Sequence, residues 1–301
     1  MTAVWTGTEM IVWGGYNGVA GSTVNTGGRY NPQTNSWQAT NTAGALAPRH
    51  GHVAVWTGTR MLVWSGADDF FSVNRYNDGA LYDPVVGSWT AISNTRAPSP
   101  RDSSAAVWTG RQLIVWGGSD AFNRLKSGGR YDVRRDRWQP ISKAGSPAGV
   151  VLASAVWTGT EMIVWGGQEP TLAADVNTGA RYNPQTNSWV RVTNPRNGGA
   201  RNEFPAVWTG SEMVVWGSYT LFAAPTNNGG RYYPSTDTWL PTSMVNVPSR
   251  RYAPLGVWSG QEMIVWGGCD AQTCGPGGNS DPLGLNNGGR YNPQTDSWQA
   301  L

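Results

Sequence analysis

Several residue types are scarce in this 301-residue chain, and each shortage excludes a class of protein. Only two of the 22 basic residues are lysine, the net charge is +3, and 14% of all residues are charged. Nothing here predicts the dense basic surface that follows a nucleic-acid backbone. No apolar run approaches the roughly 20 residues that span a bilayer. We therefore expect neither nucleic-acid binding nor membrane insertion.

Cysteine and histidine are equally scarce, with two of each. Cys269 and Cys274 lie in one segment rich in glycine, asparagine and proline, where they could close a small disulfide loop or remain free thiols. We favour the disulfide and, with it, an extracytoplasmic protein, secreted or periplasmic. No signal peptide is expected in this chain, because it begins inside a repeat. His50 and His52 lack a third convergent ligand, so the sequence predicts no metal and no cofactor.

What the chain does contain is one motif, AVWTGTEMIVWGG, in six close copies. They begin at Ala3, Ala54, Ala106, Ala155, Ala206 and Gly256. A period of about 50 residues is typical of propeller blades or solenoid turns. Because the repeat runs from one end to the other, we predict a single domain, residues 1–301. Its repeats cover approximately 1–40, 41–92, 93–141, 142–192, 193–242 and 243–301.

Each repeat predicts four short antiparallel strands, A to D. The motif supplies strands A and B on either side of a turn with glycine, and a Tyr-containing and a Trp-containing stretch supply strands C and D. The A–B and C–D turns are short and nearly uniform, whereas the B–C loops and D–A linkers differ in every repeat. Variable loops on a uniform scaffold are where binding usually occurs. We predict that these loops and linkers share one binding face.

A hydrophobic strand that ends in Gly-Gly, followed by a Tyr and then a Trp, resembles the kelch repeat. Clear glycine pairs are Gly14–Gly15, Gly117–Gly118, Gly166–Gly167 and Gly267–Gly268. The tyrosines and tryptophans that follow are Tyr30, Tyr82, Tyr131, Tyr182, Tyr232 and Tyr291, and Trp37, Trp89, Trp138, Trp189, Trp239 and Trp298. The resemblance implies an all-β, six-bladed β-propeller with four antiparallel strands per blade around a central channel. All 18 tryptophans occur at three per repeat, so we assign them to packing between blades.

Charged residues also recur with the repeat. Four repeats carry a glutamate at the start of strand B and an arginine in strand C: Glu9, Glu161, Glu212 and Glu262, with Arg29, Arg181, Arg231 and Arg290. In the second repeat both change together, to Arg60 and Leu81. Because strands B and C are antiparallel neighbours, we predict a cross-strand ion pair in each of the four repeats.

A second set of arginines precedes strand A in four repeats: Arg49, Arg101, Arg201 and Arg251. The fourth repeat has Val150 instead. Because strand A lines the channel, the arginines could form a ring that binds carboxylates, as in kelch domains that bind acidic peptides through Pro-Arg motifs. Alternatively, they pair with loop acids such as Asp68, Asp69, Asp102, Asp120 or Glu203.

Other unusual residues fall in the same loops and linkers. They are both histidines, His50 and His52, and all five phenylalanines, Phe70, Phe71, Phe122, Phe204 and Phe222. The phenylalanines either pack the loops together or form an exposed apolar contact surface. Together with the four arginines, these residues are the candidate ligand-binding set.

These observations predict a non-enzymatic binding or interaction scaffold, a monomer, whose loop face recognises a protein, an acidic peptide or an anionic carbohydrate. No catalytic residue is assigned, because nucleophile motifs and phosphate-binding glycine loops are absent. One alternative is a sugar-handling enzyme similar to the sialic-acid mutarotases of the kelch class. Its acid–base candidates are His50, Glu169, Glu203 and Asp175. The other alternative is a purely structural propeller.

Overall fold

The computed structural model describes residues 1–69, 72–169, 175–195, 199–220, 223–270 and 284–301, with the backbone alone at 219–220 and 223–224. The described residues form β-strands, turns and loops and no helix. By its contacts the chain divides into two compact units, Met1–Lys143 and Ala144–Leu301. Each unit contains three four-stranded sheets.

Sheets 1 to 3 make up the first unit. Sheet 1 contains β1 (Thr2–Trp5), β2 (Met10–Trp13), β5 (Gly27–Asn31) and β6 (Ser36–Ala39), and the short hairpin β3 (Tyr16–Asn17) and β4 (Ser22–Thr23) lies in its B–C loop. Sheet 2 contains β7 (Val53–Trp56), β8 (Met61–Trp64), β9 (Gly79–Asp83) and β10 (Ser88–Ala91). Sheet 3 contains β11 (Ala105–Trp108), β12 (Gln112–Trp116), β13 (Gly128–Asp132) and β14 (Arg137–Pro140).

Sheets 4 to 6 make up the second unit. Sheet 4 contains β15 (Ser154–Trp157), β16 (Met162–Trp165), β17 (Gly179–Asn183) and β18 (Ser188–Val192). Sheet 5 contains β19 (Ala206–Trp208), β20 (Met213–Thr220), β21 (Ala223–Tyr233) and β22 (Thr238–Pro241). Sheet 6 contains β23 (Leu255–Trp258), β24 (Met263–Trp266), β25 (Gly288–Asn292) and β26 (Ser297–Ala300).

All six sheets have the strand order A-B-C-D with antiparallel neighbours. The prediction of six four-stranded blades is therefore confirmed, and the chain has the all-β blade architecture of a β-propeller. The prediction that residues 1–301 form one domain stays a prediction.

The C–D turn shows how local chemistry fixes each blade. In sheet 1 the turn needs a left-handed residue, which is Asn35 with φ 50°. Asparagine tolerates this conformation because its short polar side chain bonds locally. Here Asn35 Oδ1 accepts a hydrogen bond of 2.8 Å from the Tyr30 hydroxyl, and Asn31 Oδ1 accepts the amide of Gln33 at 2.9 Å. The side chains of Asn31 and Asn35 thus hold the C–D turn of sheet 1 through local hydrogen bonds.

Neighbouring sheets within a unit pack through pairs of tryptophans, one from strand B and one from strand D of the next sheet. Their ring centroids are 4.8 to 5.4 Å apart, in the pairs Trp13–Trp89, Trp64–Trp138, Trp165–Trp239 and Trp216–Trp298. The strand D indole also donates a hydrogen bond to the preceding D–A linker, as from Trp89 to the Asn41 carbonyl at 2.8 Å. These contacts confirm the predicted role in blade packing for the eight tryptophans of the four pairs.

The four predicted ion pairs between strands B and C are present. The nitrogen–oxygen distances are 2.8 Å for Arg29–Glu9, 3.6 Å for Arg181–Glu161, 2.7 Å for Arg231–Glu212 and 3.6 Å for Arg290–Glu262. In sheets 2 and 3 the pair is replaced by Arg60–Asp83 and Arg111–Asp132, at 3.3 and 3.0 Å. Three strand C arginines also donate to a proline carbonyl of the next sheet: Arg29 to Pro84, Arg181 to Pro234 and Arg231 to Pro293.

These ion pairs differ in burial, which predicts different energies. Glu212 accepts two bonds from Arg231, at 2.7 and 2.9 Å, and the two side chains are 6% and 14% exposed. In a double-mutant cycle with alanine we expect a coupling of about 1 to 2 kcal/mol for this pair, because bidentate and partly buried bonds are stronger. For Glu262 and Arg290, at 3.6 Å and more exposed, we expect at most about 0.5 kcal/mol.

The couplings are measured by urea unfolding of the parent chain, both single variants and the double variant. Equal couplings for the two pairs would show that burial and bidentate geometry do not set the energy of this repeated contact.

Candidate functional site

In four of the six blades an arginine that precedes strand A holds the loop end in place, and Arg101 shows the arrangement in full. Its side chain is 0% exposed. Nε donates to the Ser99 carbonyl at 2.9 Å, and Nη1 donates to the carbonyls of Gly117 and Ser127, both at 2.9 Å. Nη2 reaches the hydroxyls of Ser99 and Ser127. One guanidinium therefore joins the D–A linker, the end of strand B and the start of strand C.

The other three arginines of this set repeat these contacts. Each donates to the carbonyl that ends strand B, at Ser65, Gly217 and Gly267, and to the residue before strand C, at Asp78, Asn228 and Asn287. All are at most 2% exposed. Burial lowers the pKa of Arg101 and Arg201 to about 10, so both remain protonated at neutral pH.

This burial corrects the expectation that the four arginines offer their donors to a ligand. A guanidinium has five N–H groups, and three to five bonds of each are made inside the protein. The alternative expectation, pairing with a loop acid, holds for Arg49, although its partner is Asp78, at 2.7 Å, and not one of the acids named as examples. We assign Arg49, Arg101, Arg201 and Arg251 to holding the loops in place.

Sequence reasoning missed the acceptor that faces each arginine, although a signal for it exists. The residue directly before the first glycine of strand C carries a side-chain acceptor in each repeat that has the arginine: Asp78, Ser127, Asn228 and Asn287. In the fourth repeat, where Val150 replaces the arginine, that residue is Thr178, which also has a hydroxyl acceptor. The signal is therefore the recurrence of a polar residue at this position, which does not vary together with the arginine.

His52 and Phe204 occupy the same place in their repeats, three residues after the arginine. The His52 ring meets Trp13 edge-on with centroids 5.2 Å apart, and the Phe204 ring meets Trp165 in the same way at 5.5 Å. Both are 5% exposed. These two members of the candidate set are packing residues of the blade, which corrects the expectation that they contact a ligand. His50, 9% exposed, is also buried.

Of the predicted phenylalanines, Phe122 is the described one that reaches solvent, with 79% of its side chain exposed. Phe70, Phe71 and Phe222 lie outside the described residues. Cys269 is disulfide-bonded. Its predicted partner, Cys274, lies outside the described residues, so the pairing stays a prediction.

Phe122 stands on a braced turn of the B–C loop in sheet 3. Asp120 Oδ1 accepts the backbone amides of Phe122 and Asn123, at 3.0 and 2.7 Å. Such an Asx turn fixes the loop without help from long-range contacts. Below the turn, Ser119 forms isolated β-bridges with Asp102 and with Arg124.

The base of this loop is held by a buried ion pair. Arg75 Nε lies 2.6 Å from Asp102 Oδ2, and the two side chains are 10% and 9% exposed. Burial raises the pKa of Asp102, and the Arg75 charge opposes that change. The B–C loops of sheets 2 and 3 are therefore linked through the intervening D–A linker.

In the second unit, an open cleft of about 360 Å³ lies where strands A of sheets 4 to 6 begin. Glu203 lines it, together with apolar residues such as Pro205 and Leu255. Burial, and secondly the charge of Asp175, raise the pKa of Glu203. Glu203 is also left-handed, with φ 47°. Of the predicted acid–base candidates, Glu203 and Asp175 are thus brought into electrostatic contact.

Two structural observations concern metals and membranes. Among the described residues, no three His, Cys, Asp or Glu side chains are grouped as metal ligands. The described part of the chain also has no helix long and apolar enough to cross a membrane.

Six antiparallel blades with variable loops over a fastened scaffold define a repeat protein of the kelch β-propeller class. A family model, the KLHDC2/KLHL20/DRC7 Kelch-repeats domain, matches residues 1–157, which is more than half of the chain. The chain belongs to the kelch-repeat family. A search of the curated proteins found no match.

The arginine fasteners make a testable prediction about stability. Replacing Arg101 with methionine leaves several buried carbonyls without a donor, so we expect a loss of about 2 to 4 kcal/mol in the free energy of unfolding. Arg134→Met, at an exposed position of the same sheet, is the control and should change it by less than about 0.5 kcal/mol. Urea unfolding measures both. If both variants change the free energy of unfolding equally, Arg101 does not stabilise the fold and its assignment to holding the loops is wrong.

His52 predicts a dependence of stability on pH. Burial, followed by the positive charges of the amino terminus, Arg49 and His50, lowers its pKa to about 3. The folded state therefore keeps His52 neutral while the unfolded state binds a proton below about pH 6.5, so stability falls as the pH drops from 6.5 towards 3. Between pH 7 and pH 5 this amounts to about 2 kcal/mol.

The matched variant is His52→Phe, because Phe204 fills the equivalent position in sheet 5. It should remove that part of the pH dependence while the protein stays folded. Identical slopes of unfolding free energy against pH in the parent and the variant would show that His52 does not titrate in this window.

Proposed function

We propose that this kelch domain is a non-enzymatic scaffold that binds another protein through its B–C loops and D–A linkers. The bound segment is an acidic peptide that carries an apolar side chain. The observation that carries the proposal is the 79% exposure of Phe122. Aromatic side chains held in water at the tip of a loop are typical of contact surfaces, where they act as anchors.

The rigidity of the tip supports this role. The amides of Phe122 and Asn123 are bound by Asp120, and the base of the loop is bridged to Asp102, which pairs with Arg75. Phe122 is therefore presented with little conformational freedom to lose. A preorganised anchor binds more tightly because less entropy is lost on association.

The charges of the loop favour an acidic partner. Arg124 and Lys126 follow Phe122, while the acid of the turn, Asp120, is occupied by backbone amides. Residues 119–127 thus carry two positive side chains and one negative side chain, so the loop around Phe122 has a net positive charge. An anionic carbohydrate would meet the same charges, but a peptide also supplies the apolar group that an exposed phenylalanine can cover.

A selection from phage-displayed random peptides tests the proposal. Peptides enriched on the parent chain should combine Asp or Glu with an apolar residue. They should bind at least about ten-fold more weakly to Phe122→Ala in fluorescence polarisation, as expected for an interface anchor. Val86→Ala is the control, because Val86 is 71% exposed on the C–D turn at the other end of its blade.

Two outcomes would contradict the proposal. One is a selection that enriches no acidic peptide. The other is an enriched peptide that binds the Phe122→Ala and parent proteins equally. Sialic acid and uronic acids are tested in the same assay as competitors, and displacement by them would point to a carbohydrate ligand.

A sugar-handling enzyme is the second candidate, and the cleft with Glu203 favours it because raised pKa values suit acid–base catalysis. Its left-handed backbone adds no support. The equivalent residues Gly51, Ser103, Leu152 and Ala253 share that conformation, so it belongs to the repeat. We expect no faster exchange of sialic acid anomers by NMR than in buffer. If the protein accelerates this exchange and Glu203→Gln abolishes the acceleration, the scaffold proposal is wrong and the protein is an enzyme.

An extracytoplasmic location is part of the same proposal. It is supported by the disulfide bond of Cys269, since disulfides persist in oxidising compartments.

A further inference from the structure

A cavity of about 480 Å³ lies beside strand D of sheet 5, in the second unit. Three stretches line it: residues 193–195 of the D–A linker before sheet 5, residues 229–230 of strand C, and residues 237–241 of the C–D turn and strand D. We name this cavity the linker pocket. Its volume is within the range of pockets that bind ligands.

In two other sheets the preceding D–A linker covers the equivalent surface with a proline. A methyl group added at Gly129, in strand C of sheet 3, would lie 2.7 Å from Cγ of Pro98. One added at Gly289, in strand C of sheet 6, would lie 2.5 Å from Cγ of Pro248. Each proline ring therefore packs directly on the glycine of its sheet.

The linker before sheet 5 lacks this proline. At the corresponding position, three residues before Arg201, the sequence has Gly198, which lies outside the described residues and has no side chain that could fill the pocket. The linkers before sheets 2, 3, 4 and 6 have an apolar side chain there: Leu46, Pro98, Pro147 and Pro248. The three atoms nearest to a methyl group added at Gly230 belong to Trp239 and Val215 of the sheet itself.

The wall of the linker pocket matches the surface that proline covers elsewhere. Two ring carbons of Trp239 lie 3.1 Å from a methyl group added at Gly230. In sheet 3, a ring carbon of Trp138 lies at the same distance from a methyl group added at Gly129. Trp138 is 0% exposed, whereas Trp239 is partly exposed. The linker pocket therefore offers the indole and glycine surface on which Pro98 packs in sheet 3.

The polar groups of the pocket favour an uncharged ligand. Among the described residues that line it, Asp237 alone is charged. Its carboxylate accepts the Thr193 amide at 3.0 Å and also the Thr193 hydroxyl. The Trp239 indole donates to the Thr193 carbonyl at 2.7 Å. These groups are thus paired with one another, and the indole face and the glycines are left to contact a ligand.

The backbone beside the pocket suits a polypeptide better than a free ring compound. Strand β22 is at the edge of sheet 5. The Thr242 amide donates to the Gly229 carbonyl at 3.2 Å. Because hydrogen-bonded and non-hydrogen-bonded pairs alternate along antiparallel strands, Trp239 directs its amide and carbonyl away from β21. The backbone of a bound polypeptide can form hydrogen bonds with these two groups.

We propose that the linker pocket binds a proline ring of another protein, in the position that Pro98 and Pro248 occupy in their own sheets. The chain itself identifies the occupant, because two equivalent surfaces are covered by proline. Aromatic grooves bind proline-rich segments, whose polyproline II conformation exists before binding. The pocket shares no residue with the loop of Phe122, so this inference does not depend on the proposed binding of an acidic peptide.

The test is an NMR titration of the full chain, labelled with ¹⁵N, with an acetylated and amidated peptide of ten prolines. This probe should shift the indole N–H resonance of Trp239. It should leave the resonance of Trp138 unchanged, because Pro98 already covers that surface. A peptide of the same length made of alternating glycine and serine should shift neither resonance.

Pro241→Arg is the variant that should block the pocket. Pro241 lines the pocket, pairs with Gly230 and is exposed, and sheet 4 has an arginine, Arg191, at the same position of strand D. We expect the variant to bind the decaproline probe at least about ten-fold more weakly than the parent, as for the loss of an interface anchor. Pro140→Arg is the matched control, since it makes the same change at the same exposed position of sheet 3. It should bind the probe like the parent.

Three outcomes would overturn the proposal. The first is a probe that shifts no resonance at millimolar concentration. The second is equal affinity for the parent and Pro241→Arg, or an equal loss of affinity in both arginine variants. The third is an equal shift of the Trp239 and Trp138 indoles in the parent. If Pro241→Arg fails to fold, the titration of the parent decides by itself, because the proposal requires the Trp239 indole to shift and the Trp138 indole to stay unchanged.

Discussion

A four-stranded kelch blade cannot bury both of its faces alone, and this constraint governs the rest of the structure. Each blade therefore depends on a neighbour that supplies a second tryptophan, as Trp64 of sheet 2 depends on Trp138 of sheet 3 at 4.8 Å. The indole N–H of Trp138 is satisfied by the Ser93 carbonyl of the linker between the two blades. Burial of apolar surface and satisfaction of a polar group are thus achieved in one contact.

The loop face is also built from contacts that recur between repeats. Arg101 and its three equivalents donate hydrogen bonds to backbone carbonyls, so the D–A linkers that contain them are fixed to the adjacent loops. The loops can then vary without loosening the blade. A buried arginine suits this task because its planar fork reaches several carbonyls at once, which a lysine cannot do. Variation is left to the tips, where Phe122 stands in solvent.

The sequence predicted side-chain contacts best at positions that recur in several repeats. The Glu212–Arg231 pair was predictable because glutamate and arginine vary together among the repeats, and cross-strand geometry brings such positions together. Arg101 was predictable as a special position, yet its role was not, because a sequence does not say whether a side chain turns inward or outward. For the same reason His52 was wrongly predicted to contact a ligand, because only its packing against Trp13 shows that it is a core residue.

The sequence by itself determined the number of blades, their strand order and the residues of their turns. These follow from local chemistry, such as the left-handed residue of each C–D turn, and from a period that repeats six times. Only the tertiary structure decided which charges and rings remain available. Exposure depends on neighbours that are distant in sequence, so Phe204, which packs against Trp165, is 5% exposed whereas Phe122 is 79% exposed.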